Sequence, residues 1–118
     1  MTFTYDFAEI NGKVPMIEFL ESLSLKERAK IFAYIDKLVE LTSKGIQPKE
    51  NLSKHLGDGI FELRVSFENR ISRSLYFYES KREIIFTHGF VKKENEIKGY
   101  GAILVFLDKY LKQDMANK

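Results

Sequence analysis

The sequence contains no cysteine. Disulfide scaffolds, cysteine-based zinc sites, iron–sulfur clusters and thiol nucleophiles are therefore excluded. Only two histidines occur, His55 and His88, which argues against a histidine-rich metal centre. Prolines are also two, and apolar content is 44%, a combination that disfavours disorder. No apolar run approaches the roughly 18 residues needed to cross a bilayer. The start, MTFTYDFAEING, lacks the basic and apolar regions of a signal peptide. A cytoplasmic location is the expectation. No strong charge of one sign is present either, since the net charge is +2. Taken alone, that total argues against a nucleic-acid coat.

What is present suits one small domain over residues 1–118. Ten Phe and six Tyr supply material for a core. Phe3, Tyr5 and Phe7 alternate within Thr2–Phe7, predicting a strand. Asn11 and Gly12 mark a turn, and Pro15 suits the first turn of a helix reaching about Leu23. Ser24 and Glu27 have capping-box spacing, so a long helix is predicted to about Ser43. Its apolar stripe is read as Ala29, Phe32, Ile35, Leu38, Val39 and Thr42. Gly45 suits the C′ position. Residues 46–59 read as a loop, with one helical turn around Leu52–Leu56.

Three strands follow: Ile60–Phe67, Ile71–Tyr78 and Glu83–Phe90. Their short connections imply antiparallel pairing. The stretch from about Tyr100 to Gln113 reads as a helix carrying Leu104, Leu107 and Leu111. The predicted order is β-α-α-β-β-β-α, an α+β fold with helices against one face of an antiparallel sheet.

Charge is unevenly placed. Residues 1–50 hold 7 basic and 8 acidic side chains, whereas residues 51–118 hold 12 and 9. Arg64, Arg70, Arg73, Lys92 and Lys93 lie on or beside the predicted sheet, with Tyr76, Tyr78 and His88. Cations and rings on a sheet suit an RNA backbone and unstacked bases. The same pattern also describes a solvated face with ordinary ion pairs such as Glu62–Arg64. No metal-ligand spacing, phosphate loop, dinucleotide fingerprint or hydrolase nucleophile motif occurs. An enzyme built from these residues is expected to work without a metal or organic cofactor. Metal-free RNA cleavage is within their reach: a base takes the 2′-OH proton, an acid protonates the leaving oxygen, and cations stabilise the phosphorane.

Three segments carry a family resemblance: Gly59–Arg64 (GIFELR), Arg73–Phe77 (RSLYF) and His88–Lys93 (HGFVKK). With the early strand, Gly12, Pro15 and Glu18–Leu23 (EFLESL), they resemble the HigB-like, phage-derived branch of the RelE/ParE toxin superfamily over roughly residues 3–93. The resemblance implies a RelE-like fold and the toxin of a type II toxin–antitoxin pair. It implies a ribosome-dependent endoribonuclease that cuts translated mRNA and arrests growth. It also implies a cognate antitoxin, usually an adjacently encoded helix-turn-helix repressor, through which alone DNA is contacted. Two alternatives stay open: a ParE-like inhibitor of DNA gyrase, and a catalytically weak co-repressor that binds the antitoxin.

Carried onto this chain, the family's RNA-facing residues are Arg64, Arg73 and the Lys92–Lys93 pair. The family's Thr-rich segment with Pro is replaced here by Glu94–Gly99, so two carboxylates stand beside the lysines. The candidate catalytic set is Arg73, Lys92, Lys93 and His88. The candidate RNA-binding set is Arg64, Tyr76, Arg70, Lys54 and Tyr100, with His55 flanking. Each has a structural counterpart. Arg64 could simply pair with Glu62, Tyr76 could pack in the core, and His88 could be a satisfied interior histidine. Alternation places Arg73 on the side of Leu75 and Phe77, so a bulge or an outward reach is needed to present it.

Overall fold

The computed structural model describes residues 2–92, and only the backbone of Lys92. The elements are β1 (Thr4–Phe7), α1 (Pro15–Glu21), α2 (Leu25–Ser43), β2 (Ser53–Gly57), β3 (Ile60–Ser66), β4 (Ile71–Glu79) and β5 (Glu83–Lys92). The predicted helix at Tyr100–Gln113 lies outside the described residues.

Local chemistry sets the helix ends. Pro15 opens α1 behind an extended Val14, where its missing N–H costs nothing. The capping box of α2 forms as predicted. Ser24 Oγ accepts from the Glu27 N–H, and Glu27 Oε1 accepts from the Ser24 N–H, both at 3.1 Å. At the far end Gly45 has φ +72°, and the Ile46 N–H reaches back to the Leu41 carbonyl at 2.9 Å. This six-to-one bond ends α2 in a Schellman geometry, which needs a residue tolerant of positive φ. The buried stripe is Ile31, Ile35 and Leu38. Ala29, expected inside, is exposed, and Ile31 takes the fully buried position.

The sheet has five strands in the order β1-β5-β4-β3-β2. All neighbours are antiparallel except β1 and β5, which pair in parallel. The two helices carry the chain from β1 at one edge of the sheet to β2 at the other, and the β2–β3–β4–β5 meander then brings β5 back beside β1. The helical turn expected around Leu52–Leu56 is instead the edge strand β2. Leu52 and Leu56 are four apart, as in a helix, but β3 supplies a ladder: Ser53 pairs with Leu63 and His55 with Phe61. Asp58 and Gly59, with φ of 53° and 76°, form the two-residue link to β3. Two positive φ values in succession match the twist of a tight hairpin.

Both helices pack on one face of the sheet. Met16, Leu20, Ile31, Ile35 and Leu38 meet Leu63, Val65, Tyr76, Ile84 and Phe86 in a single core. On β4 the inward side is Ser72, Ser74 and Tyr76, each at most 1% exposed. Leu75 and Phe77 face the other way. Cross-strand register explains this, because Ser72, Ser74 and Tyr76 stand opposite Val65, Leu63 and Phe61, the inward residues of β3. Small residues make room for α1. Gly89 is opposite Ser74, and a Cβ added to Gly89 would stand 2.2 Å from the Phe19 ring.

Gly89→Ala is therefore expected to destabilise the fold by about 1–3 kcal/mol, through displacement of Phe19. Urea unfolding measures this, and an unchanged midpoint would contradict the close packing of α1 on β5.

Candidate nucleic-acid interface

The sheet face turned away from α1 and α2 collects the basic residues. Arg64 on β3 stands directly opposite Arg73 on β4. Two like charges at such a position repel, and a counterion is built in. Glu62 lies two residues before Arg64 on the same face and is fully buried, at 0% exposure. Arg64 Nε donates to Glu62 Oε1 at 2.7 Å, and Arg73 Nη1 donates to the same oxygen. The Arg64 side chain keeps 29% exposure and that of Arg73 keeps 11%. Two guanidiniums share one carboxylate, so this group retains an excess positive charge. The buried Arg73 Nε makes no hydrogen bond among the described residues.

Alternation thus serves Arg73 without a bulge in its own strand. The side of β4 that carries Leu75 and Phe77 is the face away from the helices. A bulge does occur, but in β5. Leu75 pairs with His88 whereas Tyr76 pairs with Phe86, which leaves Thr87 as the extra residue. Thr87 is buried and its hydroxyl donates to the Leu75 carbonyl at 3.3 Å. The bulge separates His88 from the core residue Phe86 and turns it toward the arginine face. There the imidazole is half-buried and stacks on Phe90, with centroids 6.2 Å apart. Burial lowers its pKa below the ordinary value, so at neutral pH the ring is uncharged and able to accept a proton. Lys54 on β2 stands opposite Glu62 and joins the same face.

Other sequence candidates fall elsewhere. Arg70, after the end of β3, is held to the start of α2 by two hydrogen bonds to Glu27, at 3.1 and 2.9 Å. That bond chiefly lowers the Glu27 pKa. Tyr76, read as a candidate stacking ring, is on the helix side instead. It is 1% exposed and its hydroxyl pairs with Ser53 Oγ. Desolvation raises its pKa well above the ordinary phenol range and keeps it protonated. The register of β4 against β3 puts it there and removes it from any exposed surface. Lys92 is the last residue of β5, paired with Ile71. Lys93 and Tyr100 lie outside the described residues. Among the described residues, no three His, Asp or Glu side chains converge in a metal-binding group.

Sequence reasoning weighed Glu62 as a partner of Arg64 alone and missed that it serves both arginines. The signal lies in cross-strand register, which no local pattern carries.

Two helices on one face of a five-stranded mixed sheet, with a basic opposite face, define an α+β protein consistent with the RelE-like fold. No curated protein matches the chain significantly. The family described as phage derived protein Gp49-like (DUF891) matches residues 18–100, most of the chain, and the chain belongs to that family. The family is associated with toxin–antitoxin toxins of RelE/HigB type.

Removing the shared carboxylate leaves two facing guanidiniums without their counterion. Glu62→Ala is expected to lower the unfolding free energy by on the order of 3 kcal/mol. A urea midpoint equal to that of the unsubstituted protein would contradict this. His88 gives a second expectation. Its folded pKa is depressed, so its share of stability is complete above the ordinary value of 6.5 and is lost as pH falls below it. Stability of a His88→Gln variant should therefore decline less steeply over the acid side of about pH 6.5. Parallel declines in the two proteins would rule out the burial effect.

Proposed function

We propose that the protein is the toxin of a type II toxin–antitoxin pair and acts as a ribosome-dependent mRNA endoribonuclease. The observation that carries this reading is the Arg64–Arg73 pair, placed across two strands by one buried carboxylate. Family membership supports the toxin assignment.

In this reading the guanidiniums bind the phosphate beside the cut and stabilise the charge that develops on the phosphorane. Neutral His88, one ladder position diagonally from Arg73, takes the proton of the 2′-OH. The 2′ oxygen attacks the adjacent phosphorus, and the bond to the 5′ oxygen breaks. A 2′,3′-cyclic phosphate and a 5′-OH end result. Lys92, the last residue of β5, and Lys93, which follows it in sequence, are assigned to protonating the leaving 5′ oxygen. Lys54 extends the phosphate track. The partners in this reading are the ribosome with its mRNA, and an antitoxin that neutralises the enzyme.

The test is cleavage of mRNA on programmed ribosomes by the purified protein. Cyclic-phosphate and 5′-OH ends are expected, and a 2′-deoxy nucleotide at the cut site should block the reaction. Arg73→Ala should slow cleavage by about a hundredfold or more while the protein stays folded, as expected when one charge-stabilising donor is lost. Intact mRNA with the unsubstituted protein would overturn the nuclease reading. DNA breaks after induction in cells, with mRNA ends unchanged, would favour gyrase inhibition.

A further inference from the structure

A second concave site lies on the opposite side of the sheet, where α2 ends. It is an open cleft of about 410 Å³, within the usual range for ligand pockets. Thr42 and Gly45 border it from the helix end, Glu50 from the following loop, and His55, Phe61 and Tyr78 from three successive strands.

Its wall is a ladder of rings. His55 and Phe61 are 4.6 Å apart between centroids, and Phe61 stacks on the buried Tyr76 at 5.4 Å and 16°. Tyr78 stands edge-on to Phe61 at 5.1 Å and is itself buttressed by Phe3 at 6.0 Å. The outermost rings stay accessible, with His55 exposed and Tyr78 at 38% exposure.

The polar groups around the rings share one sign. The C-terminus of α2 carries the negative end of the helix dipole. No basic residue stands in its last turn, and the C-cap Lys44 is engaged at 3.2 Å by Glu40. Among the described residues, Glu50 is the one carboxylate bordering the cleft, and no Lys or Arg borders it. The Thr42 hydroxyl is buried there without a hydrogen-bond partner among the described residues. Ring faces, a helix carbonyl end and a carboxylate together attract a flat cation and repel phosphate. The two faces of the sheet are thus opposite in kind: the arginine face suits an anion, and the cleft suits a cation.

We propose that this cleft is a docking site for an arginine side chain of a protein partner, with the guanidinium lying against Tyr78 and Phe61 and pairing with Glu50. The assignment is independent of the nuclease reading, because the cleft lies on the other side of the sheet from Arg64 and Arg73.

The probe is the tripeptide acetyl-Gly-Arg-Gly-amide, titrated against the full chain while the ring resonances of His55, Phe61 and Tyr78 are followed by NMR. Saturable shifts are expected. The neutral citrulline tripeptide should bind about tenfold more weakly, the scale of a desolvated cation–π contact. Glu50→Lys, at an exposed position, should lower affinity at least about fivefold with an otherwise unchanged spectrum. Tyr78→Ala should do the same, and Glu50→Lys keeps the test sound if loss of the Tyr78 ring disturbs folding. No saturable shift with the arginine peptide would overturn the proposal. So would equal binding of the citrulline peptide, or tighter binding of adenosine monophosphate to the same rings. Neither titration reads RNA cleavage, so this result and the nuclease result can fail separately.

Discussion

One buried carboxylate organises the basic face of this sheet. Glu62 is sealed from water and accepts from two guanidiniums at a single oxygen. A lone buried carboxylate is costly, and two facing arginines repel, so neither arrangement is stable without the other. Together they lock the register of β3 against β4. That same register carries Leu63 and Val65 into the core and places Tyr76 beneath the helices. The interaction that presents the basic face and the one that fills the core are therefore two sides of one strand pairing.

The sheet works as a partition. On the helix side, Ser72, Ser74 and Gly89 are small because α1 and α2 lie close, and the aromatic rings gather where the helices leave space. On the other side, long side chains reach across a face that no described helix covers. The extra residue Thr87 adds His88 to that side without disturbing Phe86 in the core. Formal charge follows the same division. A total of +2 conceals a basic sheet face and an aromatic cleft with a carboxylate at its edge.

Much of this was legible in the chain itself, wherever local chemistry decides local structure. Ser24 and Glu27 announce the start of α2, Gly45 its end, and alternation in Ile60–Ser66 separates Leu63 from Arg64. Legibility fails where tertiary pairing decides. Leu52 and Leu56 have helical spacing, yet β3 draws the segment into a strand; Asp58 and Gly59 were the overlooked hairpin signal. The helix-facing side of β4 could not be read from composition, because the serines face the helices while Leu75, itself buried, and Phe77 point away from them. Simple alternation would put His88 on the same side as Phe86, and only the bulge at Thr87 parts them. The double role of Glu62 depends on a partner 11 residues away in another strand. Arg73 was identified by resemblance, and its orientation by the fold.

Arg64 and Arg73 are proposed to act as one phosphate-binding unit set by Glu62. The most direct measurement follows the guanidinium nitrogen signals of Arg64, Arg73 and Arg70 by NMR during titration with a short 2′-O-methyl RNA, which binds without being cut. The Arg64 and Arg73 signals should shift together and saturate at one RNA concentration, while Arg70, held by Glu27, should stay nearly still. Saturable binding that moves Arg70 and leaves Arg64 and Arg73 unchanged would contradict it.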